Sequence, residues 1–157
     1  MQAYSETDFL PERSVGFLIK RNFRFCVEAL GPAFAAEGIT FTQWQALISV
    51  YTRRATTGAA LADDLAHDKG ATTRLIDTLE QRGWIARERD GIDRRCVNLT
   101  LTAAGEAVAR RARTRVIACW NGWLADWTRD EVETLITLLQ RLEGTLAQAA
   151  AKDEPCE

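Results

Sequence analysis

Apolar residues recur at the three-and-four spacing of helix faces along most of this chain, with one short stretch where they alternate instead. Pro11 can open a first helix, on which Val15, Leu18, Ile19, Phe23, Cys26, Val27 and Leu30 form one stripe. Gly31–Pro32 predicts a kink or interruption, because proline lacks an N–H and clashes with the preceding turn; Gly38 ends the segment. In TFTQWQALISVY, Thr40 and Gln43 stand at capping-box spacing and start a second helix with Trp44, Leu47, Ile48 and Tyr51 inward. TTGAALADDLAHD reads as a short third helix capped by Thr57, with Leu61, Ala62 and Leu65 inward. Asp68 is an N-cap for a fourth, KGATTRLIDTLEQR, which Gly83 ends. Only His67, Asp68 and Lys69 separate the third and fourth helices, which fits a helix-turn-helix.

The alternation comes next, in two β runs, WIARER and RCVNLTL. Between them lies DGID, and Asp-Gly is a strong hairpin signal because both positions tolerate positive φ. Thr102 caps a long fifth helix carrying Val116, Ile117, Trp120, Trp123, Leu124 and Trp127. Thr128 or Asp130 starts a last helix with Val132, Leu135, Ile136, Leu139, Leu142 and Leu146. The predicted fold is mostly α with an α+β wing, in the order α-α-α-α-β-β-α-α. It is a single domain over residues 1–157, a winged helix-turn-helix over 40–101 flanked by long helices over 11–37 and 102–150.

Composition narrows the chemistry. A chain of 157 residues that is 46% apolar suits one folded domain with a real core. No apolar run approaches the ~18 residues a membrane span needs, and Met1–Lys20 lacks a leader pattern, so a cytoplasmic protein is expected. The net charge of −2 argues neither for nor against nucleic acid; the placement of the cations decides that. Four cysteines are scattered without a C-x-x-C pair and His67 is the lone histidine, so no metal or cofactor is expected and the thiols read as reduced. There is no G-x-S-x-G, phosphate-cradling glycine loop or H-E-x-x-H, and Asp63 and Asp64 diverge on a helix, so no enzyme is expected.

Two features carry recognition chemistry. Leu75, Ile76 and Leu79 define the buried face of the fourth helix, with Thr72 on the same side. Gly70, Thr73, Arg74, Asp77 and Gln81 lie opposite, a narrow surface suited to a duplex major groove. The hairpin has an apolar base of Trp84, Ile85, Val97 and Leu99. Its tip carries Arg87, Arg89, Arg94 and Arg95, offset by Glu88, Asp90 and Asp93; arginines so placed can enter a minor groove.

The stretch from Asp68 to Glu106 resembles the MarR family of bacterial transcription regulators. The resemblance rests on Thr73-Arg74-Leu75, Leu79-Glu80-Gln81-Arg82-Gly83, Asp93-Arg94-Arg95 and Leu101-Thr102-Ala103-Ala104-Gly105, with GITFTQWQAL (Gly38 to Leu47) entering the second helix. It implies a homodimer with intertwined terminal helices, two winged modules on a palindromic operator, and a ligand-responsive repressor. Carried over by position, Lys69, Thr73, Arg74 and Asp77 belong to the recognition helix; Arg89, Asp93, Arg94 and Arg95 belong to the wing. Gly70 and Ala71 depart from the family's commoner Ser/Thr, and Thr72 from its usual small aliphatic. The family's effectors are small aromatic or carboxylate compounds, for which Phe23, Val27, Trp44 and Ile48 are the candidate lining.

The first and last two helices carry more apolar surface than one small domain can cover, which independently predicts association. Trp120, Trp123 and Trp127 read as core or interface packing, and Arg110, Arg111, Arg113 and Arg115 as a mostly solvated face. The sequence alone leaves two other readings open: a redox-sensing regulator acting through Cys26, and a winged-helix module that binds protein rather than DNA.

Overall fold

The computed structural model describes residues 4–6, 9–89 and 97–153. A 3₁₀ turn at Pro11–Arg13 precedes α1 (Val15–Ala35), α2 (Phe41–Tyr51), α3 (Gly58–Leu65) and α4 (Lys69–Gln81). Then follow β1 (Ile85–Arg89), β2 (Val97–Leu101), α5 (Ala103–Trp123) and α6 (Arg129–Asp153). This is the predicted order, and the caps explain most boundaries. Thr40 and Gln43 form the capping box of α2, with Thr40 Oγ1 accepting the Gln43 N–H at 3.2 Å and Gln43 Oε1 accepting the Thr40 N–H at 3.0 Å. Thr57 caps α3 through the Ala60 N–H at 3.2 Å.

Three boundaries differ from the sequence expectation. Pro11 opens only the 3₁₀ turn; Ser14, with extended backbone, accepts the Phe17 N–H and moves the start of α1 to Val15. Pro32 does not interrupt α1, because it sits in the last turn and its own carbonyl still accepts the Ala36 N–H at 3.1 Å. The fifth helix stops at Trp123, which leaves Trp127 in the following turn with its N–H on the Leu124 carbonyl at 3.0 Å. Thr128, not Asp130, restarts the chain: its N–H and hydroxyl both donate to Glu131 Oε2 at 2.8 Å.

The chain divides into two compact units, Met1–Ile117 and Ala118–Glu157. In the first, Leu47, Leu61, Leu79 and Ile85 are fully buried, joined by Phe34, Ile76, Leu99 and Val108. Helices α2, α3 and α4 thus share one core with the hairpin, and α3 and α4 meet at a three-residue corner. By contrast, Val15, Phe17, Leu18, Ile19 and Phe23 of α1 are exposed, so most of the α1 stripe is uncovered in a single chain. The second unit is likewise apolar outside: Trp120 and Trp123 stack edge to face at 5.2 Å, and both stay exposed beside Trp127, Ile136, Leu139 and Leu146. Among the described residues no helix is long and apolar enough to cross a membrane.

The start of α5 is wedged against the turn that ends α4. Thr102 donates its hydroxyl to the Gly83 carbonyl at 2.6 Å and caps the helix through the Gly105 N–H at 3.0 Å. A Cβ on Gly105 would stand 1.9 Å from the Trp84 carbonyl oxygen, so only glycine fits without moving backbone. Gly105→Ala should therefore cost about 2–3 kcal/mol, the upper range of overpacking penalties, measured by urea denaturation.

Candidate nucleic-acid interface

The corner between α3 and α4 is built from backbone. Ala66 closes α3 in the left-handed region (φ 50°), and the His67 N–H returns to the Ala62 carbonyl at 3.0 Å. Asp68 then caps α4, its Oδ1 accepting the Ala71 N–H at 2.8 Å. That hydrogen bond, with the Gly70 N–H and the charge of Arg74, holds its carboxyl below the usual aspartate range. Helix α4 buries Thr72, Ile76 and Leu79 and leaves Leu75 half-buried. The buried Thr72 hydroxyl is satisfied by the Asp68 carbonyl at 3.0 Å.

Lys69, Gly70, Thr73, Arg74 and Gln81 lie exposed on the other side, as the periodicity predicts. Thr73 donates its hydroxyl to the Lys69 carbonyl at 2.8 Å, so that donor is used within the helix. A Cβ on Gly70 would stand 3.2 Å from Asp68 Oδ1, so a larger residue here would press on the capping carboxylate. Among the described residues, Lys69 and Arg74 form no ion pair within 4 Å.

Strands β1 and β2 pair antiparallel with Ile85 opposite Leu101, Arg87 opposite Leu99 and Arg89 opposite Val97. The hairpin gains a third edge that the sequence reading missed: the Leu99 N–H donates to the Thr56 carbonyl at 2.8 Å, and Thr57 bridges Asn98. Asp93, Arg94 and Arg95, with the Asp90–Gly91 turn, lie outside the described residues, and Arg89 ends β1.

Arg87 is not a tip residue. It occupies mid-strand, in register with the buried Leu99, and its guanidinium reaches back to α4. Nη2 donates to Asp77 at 2.5 Å and Nη1 to Glu80. The hydrogen bond to Asp77, and the charge of both carboxylates, pushes the Arg87 pKa up. Asp77, expected on the outward face, is half-buried and held in this pair.

The basic run on α5 is exposed, as expected, but two of its arginines are engaged by a buried carboxylate. Arg111 and Arg115 each donate Nε to one carboxylate oxygen of Glu37 at 2.7 Å, and the Glu37 side chain is only 5% exposed. Hydrogen bonds from Arg115 and then Arg111 hold the Glu37 carboxyl below the usual glutamate range. One residue on, the Gly38 carbonyl accepts from Arg82 Nη1 at 2.7 Å, and the Arg82 guanidinium lies 4.7 Å from the Trp84 ring centre. The α1–α2 turn thereby grips α4 and α5 together.

Of the candidate effector residues, Phe23 and Trp44 stand at the ends of a row of rings. Phe23 meets Phe41 at 5.8 Å, and Phe34 lies 5.9 Å from both Phe41 and Trp44. Trp44 is buried, Val27 and Ile48 are half-buried, and Phe23 is exposed. A cleft of about 570 Å³ lies elsewhere, lined by Arg53, Thr56, Glu88, Asn98, Thr100 and Glu106 among others. Burial pushes the Cys26 thiol pKa up, opposite to the activation a thiolate sensor needs.

A three-residue corner, an outward cationic helix face and a hairpin anchored beside it define a winged helix-turn-helix. The sequence profile of the MarR family matches residues 39–97. The multiple antibiotic resistance protein MarR of Salmonella typhimurium is 35% identical over 105 residues, 66% of this chain and 73% of that protein. The transcriptional repressor MprA of Escherichia coli is 32% identical over 115 residues, 69% of this chain, and the chain spans 65% of its length. A crystal structure of a mutant E. coli MarR complexed with operator DNA superposes with a TM-score of 0.71 at 29% identity, covering 82% of this chain and 92% of that one. The chain belongs to the MarR family of winged-helix transcriptional regulators.

Glu37 gives this architecture a defined acid sensitivity. Its folded pKa is lowered, so its contribution is complete above the unfolded value and is lost as pH falls through the folded one. Glu37→Gln should lower stability at neutral pH by an amount that is constant until the ordinary value of 4.5 is approached. Below that the difference between variant and parent should shrink and then vanish, as read by urea denaturation across the acid range.

Proposed function

We propose that the chain acts in the bacterial cytoplasm as a homodimeric repressor. It binds a palindromic operator and releases it on binding a small aromatic or carboxylate effector. The outward face of α4 carries this reading: Lys69 and Arg74 lie exposed without an ion pair among the described residues, beside the small Gly70 and Thr73. Such a face can approach base edges closely, with Arg74 as the guanine-reading side chain, Lys69 on phosphate and the Thr73 methyl group against a thymine methyl. Arg89, Asp93, Arg94 and Arg95 form the wing, with Arg94 in the minor groove and Asp93 orienting its neighbours. Asp77 contributes through Arg87 rather than by touching DNA.

The uncovered apolar faces of α1 and of the Ala118–Glu157 unit support the homodimer, since a second copy supplies a matching apolar surface. Phe23, Val27, Trp44 and Ile48 are the effector-facing residues in this reading, supported by the aromatic row that Phe41 and Phe34 complete.

Fluorescence anisotropy with duplex DNA from the protein's own upstream region, over a salt series, tests the proposal. Affinity should fall steeply with salt, with a log–log slope near −0.9 per neutralised phosphate. Arg74→Ala should cost about 1–3 kcal/mol and relax preference at one base position, whereas Arg94→Ala should weaken binding with less dependence on sequence. Parent-like binding by both variants overturns the residue assignment. Absence of binding to any duplex overturns the DNA-binding reading and leaves the wing to a protein partner.

A further inference from the structure

We propose that Arg87 is a positioning residue for DNA recognition, its paired contacts with Asp77 and Glu80 setting the direction in which the wing leaves the recognition helix. The inference rests on the DNA-binding reading above and adds the device that makes helix and wing act as one surface.

Arginine is an unlikely choice at a mid-strand position whose cross-strand partner, Leu99, belongs to the core, and the pairing explains it. Asp77 and Glu80 are three residues apart on α4, and so lie on neighbouring positions of one face. The two arms of the guanidinium are divided between them, Nη2 on Asp77 and Nη1 on Glu80. A planar fork held at both prongs resists rotation as well as separation, which a lysine in the same place does not. The Arg87 side chain is 30% exposed, so the pair adds little to global stability but enough to bias a marginal hairpin. Strand β2 is tied by backbone at Leu99, whereas β1 has this side-chain anchor to α4. Each strand residue advances ~3.4 Å, so a small rotation at Arg87 displaces the end of β1 at Arg89 by more.

The sign of one experiment separates positioning from simple charge. Neutralising carboxylates beside a DNA-binding face should tighten binding if only the field matters. Under the proposal, Asp77→Asn with Glu80→Gln should instead weaken operator binding by about tenfold or more, the scale of a lost contact. Arg87→Ala should do the same, with Arg87→Lys intermediate, while circular dichroism and melting show the variants folded. In the Arg87→Ala background, Arg94→Ala should lose most of its effect, costing less than about threefold, because the wing is already misaimed. The carboxylate variant keeps Arg87 and decides the matter if Arg87→Ala does not fold. Parent-like or tighter binding by the carboxylate variant, or an undiminished Arg94→Ala effect, overturns the clamp while the DNA-binding reading stands. A parent that binds no duplex overturns both.

Discussion

Two five-residue strands bury too little apolar surface to hold a direction in water, so everything the wing does depends on how the hairpin is tied down. Three attachments of different chemistry meet that need. The Thr56 carbonyl extends the sheet by one backbone hydrogen bond to Leu99. The Arg87 fork ties β1 to α4. At the base, Thr102 and the close approach of Gly105 to the Trp84 carbonyl lock the exit of β2 onto the turn that ends α4. The hairpin and α4 are therefore joined at the base and at the middle of β1. For the proposed binding through two grooves, a rigid joint of this kind matters because misalignment at either groove would lose both sets of contacts.

The same economy appears at the α1–α2 turn. Glu37 and Gly38 are adjacent, yet one holds two arginines of α5 by its carboxylate and the other holds Arg82 by its carbonyl. A displacement of the end of α1 therefore acts on α4 and α5 at once. The helix that presents an uncovered apolar stripe is thus also the helix whose end is tied to α4 and α5.

What could be read in advance follows from which interactions are local. Caps are local, so Thr40, Thr57, Asp68 and Thr102 marked helix starts by spacing alone. The α4 faces followed from periodicity, and the order of elements from the switch between helical and alternating patterns. Pro32 misled because a proline's cost depends on how much helix follows it, and here only Ala33, Phe34 and Ala35 do. Trp127 was placed on α5 because apolar spacing continues past Trp123, whereas the Thr128–Glu131 box sets the next start. The Arg87 fork, the Glu37 clamp and the Thr56 edge had no sequence signal, since their partners are 7 to 78 residues apart and a charge alone does not declare its partner.

The net charge of −2 can now be placed in context, because cations differ in what they are already bound to. Arg54 is paired with Asp64, Arg87 with Asp77 and Glu80, and Arg111 and Arg115 with Glu37, while Arg82 lies against a carbonyl and an indole ring. The four ion-paired arginines and their four carboxylates cancel at long range, yet they hold the scaffold. Lys69 and Arg74 remain on the outer face of α4 without such partners among the described residues. A phosphate chain responds to the potential near it, screened beyond ~10 Å at ordinary salt, so two unpaired cations on one narrow face outweigh a balanced sum elsewhere. An acidic protein can in this way present a basic face, because several of its carboxylates are held by other arginines.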